Sequence, residues 1–368
     1  MDTNEIIAEL IQKLSDNIVD CLDRTNGDNA CYIDNTSGET FEEYWSVIIG
    51  VCEHKQIDLN AINLQECFAK ANSSAEIKHK EQCITKVLEG FIEKFSWTPA
   101  GCTKSAKIPY VMNDTKYTQK REEKDNAAKW KKIKEKIKRY EKDFREKQLK
   151  PCDFDFQDYN SEVDGSTRYG KGSPEMITYV IDRLVKDKTI TNKEGVTQFM
   201  KDYAIGIDCS GFVTRAIATV LAALNVEKSI QIETVGASGT YLLTNCTLMA
   251  SKEFINSGYI ETKTFQEKKG KKHFTQNYKI TENILSKVRV GDIVCTTNEH
   301  YHVRIICKID RDNKGLPTKI YYVDSSSSEN QQGIRCSQKD GILKKYTVVR
   351  PYYMDIYYNG EYGTHKSN

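Results

Sequence analysis

The chain has 368 residues, more than one hydrophobic core usually organises, so at least two domains are expected. Its 54 basic and 52 acidic residues leave a net charge of +2, which excludes a global field that would draw nucleic acid or an anionic membrane. A charged fraction of 29% and an aromatic fraction of 10% exclude a disordered or fibrous chain.

The first fourteen residues carry Asp2, Glu5 and Glu9 among their apolar positions, so they have neither the basic start nor the apolar centre of a secretory signal. No stretch approaches the roughly 20 apolar residues that cross a bilayer. The expectation is a chain made in the cytoplasm, with no signal peptide, no membrane insertion and no nucleic-acid partner. Over 4–22 the residues Ile7, Leu10, Ile11, Leu14, Ile18 and Leu22 recur at spacings of three and four, which predicts one buried helical face. The same pattern predicts helices over 41–52, 59–71 and 75–95, with turns at Asn35-Thr36-Ser37-Gly38 and Asn72-Ser73-Ser74.

From 116 to 150 the sequence is mostly Lys, Arg and Glu, crossed by a narrow stripe of Trp130, Ile133, Ile137, Tyr140 and Phe144. This predicts a long amphipathic helix ended by Pro151. Glu122, Glu123, Glu135, Glu141, Asp143 and Glu146 are interleaved with the lysines and supply i,i+4 partners, so a connecting helix with a solvated face is favoured over a polyanion-binding surface. Beyond 152, helices are predicted over 174–186 and 209–224, then short strands over 292–296, 302–309, 320–324 and 346–350. Helices followed by a run of strands argue for an α+β domain with an antiparallel sheet. The expected organisation is an all-α domain over 1–115, a charged connecting helix over 116–150 and an α+β domain over 151–368.

Twelve cysteines are scattered without a CxxC pair or a repeating spacing, so most are expected to be reduced, small, buried apolar residues. Cys209 differs by its context. It opens a helix whose Phe212, Val213, Ala216, Ile217, Val220, Leu221 and Leu224 share a buried face. The N–H groups of a helix start favour a thiolate and can stabilise an oxyanion beside it. Ser210 and Gly211 are small enough for a substrate carbonyl to come close.

A nucleophilic cysteine needs a base, and the chain has six histidines. His54 and His79 fall in the helical region, and His365 falls in a polar tail. His273 follows the basic run Lys268-Lys269-Gly270-Lys271-Lys272, read as an exposed loop. His302 opens the apolar strand Val303-Arg304-Ile305-Ile306, a rigid mount for a base, with His300 as its rival two positions earlier. Asp324, at the end of Ile320-Tyr321-Tyr322-Val323, is the candidate to orient the imidazole, with Ser325 as fallback.

Four segments in order carry a resemblance: Asp208-Cys209-Ser210-Gly211-Phe212-Val213, Val290-Gly291-Asp292-Ile293-Val294, His302-Val303-Arg304-Ile305 and Val349-Arg350-Pro351. Over about 165–355 the chain resembles the NlpC-type cell-wall peptidase family. The resemblance implies a papain-like catalytic domain and a cysteine peptidase or amidase that cuts amide bonds in peptidoglycan stem peptides. It implies Cys209 as nucleophile, His302 as base, a polar third residue such as Asp324, and Tyr203 with Ser210 near the substrate carbonyl. Arg304 stands where the family usually has glycine, and Val290 where it usually has proline.

Without an export signal, such an enzyme would reach a cell wall by a non-classical route, as a phage lysin or a delivered antibacterial effector. The N-terminal helices would then meet a delivery or immunity protein. Two other functions stay open: a cytosolic deamidase, transferase or protease acting on proteins, and a binding module that has lost turnover. Neither a metal site nor a cofactor is indicated, because the histidines and cysteines lack ligand spacing and no nucleotide loop is present.

Overall fold

A computed structural model describes residues 3–24, 38–111, 127–147, 156–157, 167, 170, 172–192, 195–224, 232–233, 263–268, 271–276, 287–296, 302–312, 315–326, 331–338, 346–349, 354 and 357–358. Among these residues the chain is mixed helix and sheet, an α+β protein with seven α-helices and a five-stranded antiparallel sheet. Two compact units divide it, one of Met1–Cys83 with Asp310–Thr318 and one of Ile84–Ile309 with Lys319–Asn368.

The first unit is helical. Its α1 (Thr3–Arg24) and α2 (Gly38–Lys55) bury Leu10, Leu14, Ile18, Tyr44 and Ile48, the three-and-four spacing of the sequence turned into one core. A short 3-10 turn, Leu59–Ala61, is capped by Asp58 and leads to α3 (Leu64–Glu93). The turn expected at Asn72-Ser73-Ser74 is not made, because α3 runs straight through it. Ala71 and Ala75 are both fully buried, and their spacing of one helical turn keeps a single face on the core, so packing overrides the weak local preference for a break.

The second unit begins inside α3. Phe91 and Phe95 pack against Phe212 of the cysteine helix, each with ring centroids 5.3 Å away, and against each other at 5.2 Å. The pair β1 (Ser96–Trp97) and β2 (Ala106–Lys107) follows. The charged helix appears as α4 (Ala127–Glu146); the rest of the stretch expected to be helical, 116–126 and 148–150, lies outside the described residues. It is not a free connector: its stripe Trp130, Ile133, Ile137 and Phe144 is buried, and it packs on α5 (Pro174–Lys186). Lys136 and the Tyr140 hydroxyl both donate to Asp187 at the end of α5, at 3.0 and 2.8 Å.

Strand β3 (Phe156–Gln157), helix α6 (Val196–Asp202), helix α7 (Cys209–Ala223), strand β4 (Ile232–Glu233) and the hairpin β5 (Lys263–Lys268) with β6 (Lys271–Gln276) come next. The hairpin corrects the loop expected around His273, which lies on β6 opposite Gln266. The main sheet is β7 (Ile293–Thr296), β8 (Val303–Arg311), β9 (Pro317–Ser326), β10 (Gln331–Gln338) and β11 (Tyr346–Val349), in the order β10-β9-β8-β7-β11. Strand β10 was not anticipated: Gln331-Gln332-Gly333 lacks apolar alternation, and its pairing with β9 defines it.

Candidate active site

Helix α7 starts at Cys209 because Asp208 caps it. The Asp208 carboxylate accepts the Gly211 N–H at 2.6 Å and the Ser210 hydroxyl at 2.9 Å, satisfying an N–H that the helix itself leaves unpaired. Ser210 is thus buried with its hydroxyl spent on the cap, so it can meet a substrate only through its main chain. Cysteines 52, 67, 83, 102, 209 and 307 are free thiols. Burial pushes Cys52 and Cys67 upward and Cys307 to about 12, which makes them poor nucleophiles. Cys209 is half-buried and alone among the six begins a helix.

The loop that delivers Cys209 is held from three sides. Ile207 pairs in parallel with Tyr110: its N–H donates to the Pro109 carbonyl at 3.2 Å, and its carbonyl accepts the Val111 N–H at 3.3 Å. The Gly206 N–H donates to the Thr167 carbonyl at 3.1 Å, and the Asp208 N–H to the Gly170 carbonyl at 2.9 Å. From β9, the Ser325 hydroxyl donates to the Ile207 carbonyl at 2.9 Å. Helix α4 supports the same loop: buried Glu141 accepts both the N–H and the hydroxyl of Thr167 at 2.7 Å. Glu141 was expected to pair with lysines along its own helix; in the fold its buried carboxylate accepts from Thr167.

The structure brings His302 and Asp324 together, with 2.7 Å between Nε2 and Oδ2. Asp324 is fully buried and also holds Arg335, Nε to Oδ1 at 2.8 Å, and Arg304, Nε to Oδ2 at 3.1 Å. Burial alone would raise the Asp324 carboxyl. The hydrogen bond from His302 and the charges of His302, Arg335 and Arg304 outweigh it and hold the group below the usual carboxylate range. Neighbouring side chains on a strand point to opposite faces, so β9 serves both groups: Asp324 orients His302, and Ser325 fastens the loop before Cys209. The rival His300 lies outside the described residues.

Tyr203 stands at the end of α6 as its cap, and its ring packs 4.4 Å from Phe199 and 4.8 Å from Trp130. The Tyr110 phenol is pushed upward first by burial and then by negative charge on Cys209 and Asp208. Such a phenol keeps its proton and can donate a hydrogen bond. Sequence reasoning missed it because nothing in Ile108-Pro109-Tyr110 announces a partner so far along the chain. The Val290-Gly291-Asp292 motif is a turn: Gly291 has φ +92°, and a Cβ there would lie 2.5 Å from Met354. The carboxylate of buried Asp292 accepts the Arg289 N–H at 2.8 Å.

Among the described residues no group of three His, Cys, Asp or Glu side chains is arranged to hold a metal, and no helix is long and apolar enough to cross a membrane. No family model, curated protein or solved structure matches the chain.

Proposed function

We propose that the second unit is a papain-like cysteine hydrolase that cuts amide bonds in peptidoglycan stem peptides, with Cys209 as nucleophile, His302 as base and Asp324 as the residue that positions it. One observation carries the reading: a half-buried cysteine opens a capped helix, and the strand that fastens its loop through Ser325 also holds, through Asp324, a histidine paired with a buried carboxylate.

The chemistry follows from the proton inventory. Ionised Asp324 can only accept, so the His302 Nε2–H donates to it, and Nδ1 is the nitrogen left to exchange a proton with the Cys209 sulfur. The thiolate attacks the carbonyl carbon, and the oxyanion meets the N–H groups at the start of α7 with the Tyr110 phenol as a further donor. Protonated Nδ1 gives its proton to the leaving amine as the C–N bond breaks, which leaves a thioester on Cys209. Water then attacks the thioester, Nδ1 takes its proton, and the acid product leaves as the thiol is restored. Asp324 keeps the imidazole in this tautomer and stabilises its charged form.

The test is digestion of purified peptidoglycan sacculi by the full chain and by Cys209→Ala, with soluble products read by mass spectrometry. Stem-peptide fragments from the wild type alone support the proposal and locate the bond. Silence from both removes peptidoglycan as the substrate and turns the search to protein amides.

A further inference from the structure

We propose that the outer face of α4 docks a flexible phosphodiester polymer that carries no bases. Its source, a polyol-phosphate chain attached to the same wall as the peptide substrate, rests on the hydrolase reading above; its chemistry does not.

Acids interleaved with lysines favour a merely solvated face when only the sequence is considered, but the fold turns most of those acids elsewhere. Buried Glu141 accepts from Thr167 at 2.7 Å, and Asp143 accepts from the Tyr179 hydroxyl and pairs with Lys147 at 3.0 Å. Glu146 pairs with Lys142 at 3.5 Å, and Glu122 and Glu123 lie outside the described residues. Around the middle of the helix this leaves exposed Glu135 among exposed Lys131, Lys132, Lys138 and Arg139. Even if Glu135 neutralises one of these four cations, three remain. Arg139 donates to the neutral Tyr140 hydroxyl at 2.9 Å, which leaves its charge uncompensated. Lys134 and Arg145 have partners of their own and add nothing to the excess. The acids of α5, on which α4 packs, are engaged as well. Asp187 holds Lys136, Asp182 accepts the Trp97 and Ala100 N–H groups, and Glu175 pairs with Lys94.

The spacing makes these cations a line. Lys131 with Lys132 and Lys138 with Arg139 sit seven residues apart, two helical turns, so both pairs share one face and span about 12 Å of axis. Three of the four are lysines, compact point charges on flexible stems, which suit phosphate groups without the fixed fork that carboxylates reward. The aromatic rings of α4 are not offered to a base: Trp130 and Phe144 are buried, and the Tyr140 hydroxyl donates to Asp187 at 2.8 Å. The helix has no apolar side left to lay into lipid either, because Trp130, Ile133, Ile137 and Phe144 are already buried in the protein. What remains is attraction by charge alone, and it selects a partner that is anionic along its length and flexible enough to follow the helix.

The probe is a fluorescently labelled synthetic glycerol-phosphate oligomer, titrated into the full chain carrying Cys209→Ala and read by anisotropy at several salt concentrations. Saturable binding that weakens as salt rises is expected. Lys131→Gln with Lys138→Gln should lower the affinity about tenfold and the salt slope by roughly 1.4, at about 0.7 per phosphate contact on a flexible strand. Lys132→Gln with Arg139→Gln should show the same loss and covers the case in which the first pair fails to fold. Glu135→Gln, which removes the one carboxylate among them, should tighten binding. Absence of binding, binding that the paired variants leave unchanged, or binding that Glu135→Gln fails to tighten overturns the surface. Poly-glutamate or oligo-thymidylate of equal charge bound about tenfold more tightly than the probe also overturns it, by assigning the face to an acidic protein or to nucleic acid. Turnover plays no part in these titrations, so digestion of sacculi by the wild type judges the hydrolase reading separately. Silence there with binding here would strike out the wall as the source of the polymer and leave the surface standing.

Discussion

Asp324→Asn is the most informative single change, because the substitution keeps the shape and removes only the charge. In the wild type the buried carboxylate holds His302 at 2.7 Å, Arg335 at 2.8 Å and Arg304 at 3.1 Å. Removing one partner from a buried ion pair typically costs roughly 3–5 kcal/mol. The arginines keep about a fifth of their side-chain surface in water, which screens the loss, so the lower end, about 3 kcal/mol, is expected. For a domain of this size that is a fall in Tm of roughly 6–12 °C. The assay is thermal unfolding of the full chain and the variant by circular dichroism, repeated from pH 7 downward. The folded Asp324 carboxyl is depressed below its unfolded value, so its contribution is fully present above the unfolded pKa of about 3.9 and is lost as pH falls through the folded pKa. The gap between the two proteins should therefore stay constant through neutral pH and close only below about pH 4. A shift under about 2 °C at pH 7 would mean less than 1 kcal/mol and refute the buried-charge argument. A gap that persists unchanged to the lowest pH at which both proteins fold would show that something other than ionisation sets it.

Two further substitutions probe the frame around Cys209. Tyr110→Phe should lower kcat on any responsive substrate by about 100-fold or more, the scale of a lost oxyanion donor, with little change in Tm. Tyr203→Ala, which empties the aromatic cluster with Phe199 and Trp130, should instead lower Tm, by roughly 3 kcal/mol of lost packing; steady-state kinetics and calorimetry on both variants separate the roles. Gly206→Ala should fold poorly, because its Cβ would sit 2.4 Å from the Pro109 carbonyl oxygen and 2.6 Å from a Val111 methyl. A soluble Gly206→Ala protein with wild-type Tm would show that the loop before Cys209 is not held as tightly as its hydrogen bonds imply.

Most of the secondary structure could be read from local pattern. The starts of α5 and α7 follow from Ser173 with Pro174 and from Asp208 before an apolar face, since caps and periodicity act within one or two turns. Strands β7, β8, β9 and β11 were visible as β-branched and aromatic runs; Cys209 could be singled out because it begins a capped helix, and His302 and Asp324 because they flank apolar runs. Pattern failed where long-range packing decided, as in α3 continuing through Asn72-Ser73-Ser74 on the strength of Ala71 and Ala75.

What the sequence by itself determined, then, is the set of chemically capable residues and the elements that carry them, because capping, helical periodicity and strand alternation are short-range. Only the tertiary structure decided which of those residues meet. It put Ser325 on the Ile207 carbonyl, drew Arg335 from an unpatterned strand onto Asp324, made Glu141 of a charged helix a buried support for Thr167, and set Tyr110 within the field of Cys209. Each of these contacts joins segments distant in the chain, and their pairing depends on how whole surfaces pack, which no local run of residues encodes.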